Sequence, residues 1–229
     1  MQFHSSSNEI YCIIANNFSY SGNRPQKCMS NTFAELFKTI LTADKDASRK
    51  AAREVRKKVY AADEANKYEM IASIVAKAPD GYKTITEDWR QENFVLAISV
   101  MYFLGTKREQ PDFLFPWLFE LMKHKNGNIR HAAIRMFEIE FGPLTYHIRI
   151  PGEKSDYLEV SPEQADQILF SFFVMINRLM EEFWKPEYKK YKYIASLPTS
   201  VYKSLQLLLL RLEDLCGKEY LEKLQTRET

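Results

Sequence analysis

From residue 31 onward, apolar residues return every three or four positions, the spacing of one helix face. Phe33, Leu36, Phe37, Ile40 and Leu41 predict a first helix over 31–42, with Ser30, Asn31 and Thr32 as candidate N-caps. A second is expected over 47–60. A third covers 65–77 and stops at Pro79, Asp80 and Gly81. A fourth runs from Glu87, capped by Thr86, through FVLAISVMYFLG to Gly105. It is apolar nearly all round, so it should be buried on most sides. A fifth covers 112–124 with Pro116 in or near its first turn. A sixth opens after NGN at 126–128 and ends at Gly142–Pro143.

The period then changes. YHIRI and YLEV alternate polar and apolar around Pro151–Gly152, which predicts a short β-hairpin near 146–160, with an irregular loop as the alternative. Ser161, Pro162, Glu163 and Gln164 carry the signature of a capping box with proline at the first helical position. They open a long helix to about Trp184. A short helix over 186–195 follows, then one after Pro198 carrying LQLLLLRL to Cys216. Gly217 separates a last helix reaching about Leu224. The fold class expected is all-α.

One local pattern recurs. SRKAAREV at 48–55 and IRHAAIRM at 129–136 each follow an apolar helix and a short turn bearing Asp or Asn. Both halves read as helix pairs of about 30 residues, 31–60 and 112–142, with a third pair at 65–104. A helix, a polar turn, then a branched apolar residue, Arg and Ala resembles a HEAT (armadillo-type) repeat. FLFPWLFELMKHKNGNIRHAAIRMFEIEFG carries the fullest match, with Pro116 in the first helix and Ile129–Arg130 at the usual Val–Arg position. The 31–60 copy has Ser48 in place of the branched residue, and the 65–104 pair lacks the Arg–Ala signature. The resemblance implies a right-handed superhelix of stacked antiparallel pairs, an α-solenoid over residues 29–229. It also implies structural roles for Arg49 and Arg130. Paired alanines suit such stacking because interaxial distance follows side-chain size.

Composition narrows the function classes. Seven glycines in 229 residues favour helices over strand-rich folds. A net charge of +2 does not by itself imply a polyanion partner. Cys12, Cys28 and Cys216 are scattered and odd in number, as reduced intracellular thiols are, so a cytoplasmic location is expected. Residues 1–28 lack the basic start and long apolar core of a signal peptide and are expected to be a flexible extension, with a docked arm as the alternative. No run approaches the roughly 20 apolar residues of a membrane span.

Local charge is more informative. Residues 45–58 hold seven Lys or Arg against Asp46 and Glu54. Lys50, Arg53 and Lys57 lie opposite the apolar face of the second helix, with Arg49 and Arg56 flanking them. They suit phosphate or an acidic peptide if they face a groove, and otherwise form a solvated face. EYKKYKYIA interleaves Tyr188, Tyr191 and Tyr193 with Lys189, Lys190 and Lys192, which suits either base stacking with phosphate contact or inward tyrosines with wet lysines. The four histidines show no metal spacing, and no Gly-rich phosphate loop or GxSxG occurs, so no cofactor, metal or catalytic residue is assigned. The reading is a non-enzymatic scaffold that binds a protein partner through its concave face. The alternative is nucleic-acid binding or DNA repair of the alkylation-repair HEAT-like type, with Trp89, Trp117 or Trp184 in a basic groove. Asp88–Trp89–Arg90 is the one place where an acid, a Trp and an Arg adjoin.

Overall fold

The computed structural model describes residues 32–61, 66–153, 155–190 and 200–228, apart from the side chains of 189, 190 and 228. The described residues form eleven α-helices: α1 (Phe33–Thr42), α2 (Lys45–Val59), α3 (Lys67–Ala76), α4 (Ala78–Lys83), α5 (Asp88–Met101), α6 (Phe115–Met122), α7 (Gly127–Leu144), α8 (Tyr146–Arg149), α9 (Pro162–Phe183), α10 (Val201–Cys216) and α11 (Lys218–Glu228). Short 3-10 turns follow α5 (Tyr102–Leu104) and α9 (Pro186–Lys190). They fall into two compact units, the described parts of Met1–Gly105 and of Thr106–Thr229.

In the first unit, the Thr32 hydroxyl and the Glu35 carboxylate form a reciprocal capping box on α1. Only Ala43 and Asp44 separate α1 from α2, so the two helices fold back as a hairpin. The Asp44 carboxylate caps α2 by accepting from the Ala47 amide at 2.9 Å. Phe33, Leu36, Phe37 and Ile40 of α1 are buried, as are Ser48, Ala51, Val55 and Val59 of α2 and Phe94, Val95, Ala97, Ile98 and Met101 of α5. Both α1 and α2 pack on α5, and Phe37 meets Phe94 edge-on at 5.8 Å. The 3-10 turn after α5 ends at Gly105, where a Cβ would lie 2.8 Å from Val75 Cγ2 of α3. Only glycine allows that approach.

In the second unit, α7 packs on α6 and α10, and α9 packs on α10. Phe115, Phe119, Phe137, Phe141 and Phe172 form one aromatic cluster, with ring centroids from 4.9 to 6.1 Å apart. Offset and edge-on geometries of this kind add to the area that the rings bury. Ala132 and Ala133 are buried on α7, and Leu205, Leu208 and Leu212 on α10.

Each unit also buries an arginine where a short helix ends. In the first unit, Arg90 Nη1 donates to the Ile40 carbonyl at 3.1 Å, and the Ser48 hydroxyl donates to the same oxygen at 3.0 Å. In the second, Arg130 Nη1 donates to the His124 and Lys125 carbonyls just beyond α6, at 2.7 and 2.9 Å. Its Nε donates to the Ser204 hydroxyl of α10 at 2.8 Å. Helix ends leave carbonyls without intrahelical donors, and a buried one needs a partner.

Three expectations need correction. The hairpin near 146–160 is absent, and no strand occurs among the described residues. Thr145 to Ile150 instead make a helical turn through i to i−3 and i−4 amide bonds. The alternation in YLEV is real: Leu158 and Val160 are buried while Tyr157 and Glu159 are exposed. It belongs to a segment that turns at 155–158, where the Leu158 amide donates to the Ser155 carbonyl at 3.2 Å, and that is tied to Arg108, whose carbonyl accepts from the Glu159 amide at 2.9 Å and whose Nη2 donates to the Asp156 carbonyl. Pro143 does not stop α7, which continues to Leu144. The Thr145 amide and hydroxyl both donate to the Phe141 carbonyl, and Arg149 Nη2 donates to the Gly142 carbonyl at 2.7 Å, so the final turn keeps its bonds. Pro79 likewise starts α4, sitting in its first turn, where its missing amide costs nothing.

No helix among the described residues is long and apolar enough to cross a membrane. The aromatic cluster sets the first expectation for mutagenesis. Phe137→Ala should lower the unfolding free energy by about 3–5 kcal/mol, because it empties a site touched by four other rings. Urea denaturation followed by circular dichroism measures it.

Candidate functional site

Helix α2 is built for folding on one side only. Its inner face is Ser48, Ala51, Val55 and Val59, with Ser48 further fixed by accepting from Asn93 Nδ2 at 3.1 Å. The opposite face carries Lys50, Arg53 and Lys57 with Asp46 among them, flanked by Arg49, Arg56 and, nearer the buried side, Lys45, all exposed. Arg49, Arg53, Arg56 and Tyr60 follow each other at i, i+4, i+7 and i+11, so they form one line along the helix. Lys50 and Lys57 lie beside that line.

Some of these charges have a structural account. Arg56, Lys57 and Lys58 occupy the last turn, where cations complement the helix dipole. Lys57 Nζ pairs with Glu54 at 2.7 Å, and Lys58 Nζ lies over the Phe33 ring at 5.5 Å. Arg49, Lys50 and Arg53 sit mid-helix and have no hydrogen bond or ion pair with any described residue. Lys45–Arg49, Arg49–Arg53 and Arg53–Lys57 are like-charge i, i+4 pairs, each unfavourable by about 0.2–0.5 kcal/mol. Asp46–Lys50 and Lys50–Glu54 are opposite-charge i, i+4 pairs of similar size, so the charges on this face add little net stability to the fold.

The line ends in an aromatic pair that sequence reading did not single out. Tyr60, the C-cap of α2, stacks on Phe103 of the 3-10 turn after α5, with centroids 6.2 Å apart and ring planes 21° apart. Tyr60 is nonetheless 68% exposed and Phe103 42% exposed, so the pair remains a surface feature. Phe103 lies within an apolar run that reads as wholly buried, which concealed it.

The other sequence candidates are placed differently. Tyr188 is half-buried and stacks on Tyr202 at 4.9 Å with planes 4° apart. Lys192, like Tyr191 and Tyr193, lies outside the described residues, as do the side chains of Lys189 and Lys190. Arg49 is exposed on α2, whereas Arg130 is the buried clamp described above, and burial lowers the pKa of its guanidinium. In Asp88–Trp89–Arg90 the guanidinium lies over the Trp89 ring at 4.4 Å. It is held by the Ile40 carbonyl and by Glu87, whose carboxyl these bonds keep below the usual range. Trp117 is buried and Trp184 exposed.

One polar cluster arises from the fold alone. His147 of α8 and Tyr220 of α11 both reach Asp166 Oδ1 of α9, the imidazole Nε2 at 3.0 Å. A carboxylate only accepts, so both partners donate. Burial first, then the bond to Asp166, pushes the Tyr220 phenol far up. Burial also raises the nearby Cys216 thiol to about 11. A thiol so protonated is a poor nucleophile at neutral pH, and the two bonds to Asp166 tie α8 and α11 to α9. Residues 19 and 54 apart leave no local motif, and sequence reading missed it. Among the described residues no group of three His, Cys, Asp or Glu could hold a metal ion.

The chain matches no protein-family model, no curated protein and no solved structure.

The cluster has a pH consequence. Tyr220 and Cys216 keep their protons in the folded state to higher pH than in the unfolded chain, where they ionise near about 10 and 8.5. The folded state then binds more protons, so stability is full below about pH 8.5 and falls as pH rises toward 11. Cys216→Ala/Tyr220→Phe should show a shallower decline than wild type when unfolding free energy is measured from pH 8 to 11.

Proposed function

We propose that this chain is a non-enzymatic helical-repeat scaffold that binds a polyanionic partner through the exposed face of α2. The observation that carries it is the set Arg49, Lys50 and Arg53. They are exposed, mid-helix and without a hydrogen bond or ion pair to any described residue, and Arg49 and Arg53 stand one turn apart as like charges. Folding of α2 uses its Asp44 cap, its buried face and its Ser48 bonds, and none of these needs the cations. An anionic partner would relieve the repulsion between Arg49 and Arg53.

The finer architecture we propose is HEAT-like. The hairpin of α1 and α2 and the pair α6 and α7 support it, each having a short first helix and an Arg–Ala-bearing second helix. In HEAT-like stacking into a right-handed superhelix, second helices line the concave side, where α2 would present its cations to a bound chain. An acidic protein segment or a phosphate backbone would each satisfy that charge pattern.

The test titrates labelled polyglutamate, polyphosphate and oligothymidylate against wild type and against Lys50→Glu/Arg53→Glu/Lys57→Glu. Wild type should bind at least one probe, with affinity falling steeply with salt. For a single strand neutralised at four or five phosphates, the slope of log affinity against log salt should be about −3. The variant should lose that binding. No binding of any probe at low salt, or equal binding by the variant, overturns the reading. A companion variant, Arg49→Gln/Arg53→Gln, should unfold at equal or higher denaturant than wild type while binding more weakly.

A further inference from the structure

We infer that the polyanion held by α2 is single-stranded nucleic acid, and that Tyr60 stacks on one of its bases. The inference rests on the proposed polyanion-binding role of α2 and adds the aromatic pair at the end of its basic line. An acidic peptide or a polyphosphate needs cations alone. A single strand also offers flat, apolar base faces, and the surfaces that bind it without sequence preference combine a cationic track with aromatic platforms.

Both elements occur here in register. Arg49, Arg53, Arg56 and Tyr60 share one face. From Arg49 to Tyr60 the helix rises about 17 Å, the length of about five stacked nucleotides. Tyr60 is fixed from below by Phe103, so its ring is already ordered before a base arrives. Its 68% exposure leaves the other face open to solvent. An aromatic ring that served only the core would be buried, as Phe33 and Phe37 are in the same unit. Lys50 and Lys57 flank the line and would contact the phosphates. A duplex hides its base faces and cannot use the platform, which sets the strandedness.

Base–aromatic stacking contributes about 1–3 kcal/mol per base, an affinity factor of roughly 5 to 150. The experiment measures anisotropy of fluorescein-labelled dT10, of an abasic decamer of equal charge, of a ten-base-pair duplex and of a glutamate decapeptide. Wild type, Tyr60→Ala, Tyr60→Phe and the triple charge variant are compared, each checked for wild-type thermal unfolding. Wild type should bind dT10 at least about fivefold more tightly than the abasic strand or the duplex. Tyr60→Ala should remove that preference and keep abasic binding and its salt slope. Tyr60→Phe should restore the preference. Equal binding of dT10 and the abasic strand, lost only in the charge variant, overturns the stacking inference and leaves the polyanion reading standing. Tighter binding of the decapeptide or the duplex also overturns it. No binding of any probe overturns both.

Discussion

Each unit depends on a buried cation that closes the end of a short helix. In the first unit, α1 ends against α2 and α5, and its Ile40 carbonyl is met by Ser48 and Arg90. In the second, α6 ends in a turn whose His124 and Lys125 carbonyls are met by Arg130. Arg130 is 2% exposed and also holds Ser204, which fixes α10 against α7. Desolvating a guanidinium is costly, and directional bonds to carbonyls offset it only when the geometry is right. The clamp thus specifies which helices meet, while the apolar faces supply most of the driving force.

The clamp is reached by different routes in the two halves. In the second unit Arg130, the arginine of the recurring Arg–x–Ala–Ala pattern, supplies it. In the first, the matching arginine, Arg49, is exposed, and Arg90 from a later helix reaches the same kind of carbonyl. The Ser48 hydroxyl, one residue before Arg49, bonds the Ile40 carbonyl and Asn93 in the core. Arg49 is thereby left for the surface and joins the basic line.

Much of this was legible in the sequence. Thr32, Ser161 and Gly217 mark helix ends by local chemistry, and the structure uses the first two as capping boxes and the third at a φ of 79°. The cationic face of α2 follows from helical periodicity. What escaped was set by distant partners. Pro143 reads as a stop because its rescuers, Thr145 and Arg149, lie downstream. YLEV alternates like a hairpin strand, but its partner is Arg108, some fifty residues earlier. Tyr60 and Phe103 both sit at ends of apolar patterns that promise burial, and only the packing of α5 on α2 brings them together at the surface. The Asp166 cluster has no local trace at all.

The central claim is that α2 is a ligand face. Backbone amide NMR of the full chain, titrated with dT10 at low salt, tests it directly. The account predicts shift changes concentrated in residues 49–60 and at Phe103, with the buried face of α9 and the Arg130 clamp undisturbed. Changes centred elsewhere, or none at saturating oligonucleotide, would contradict it.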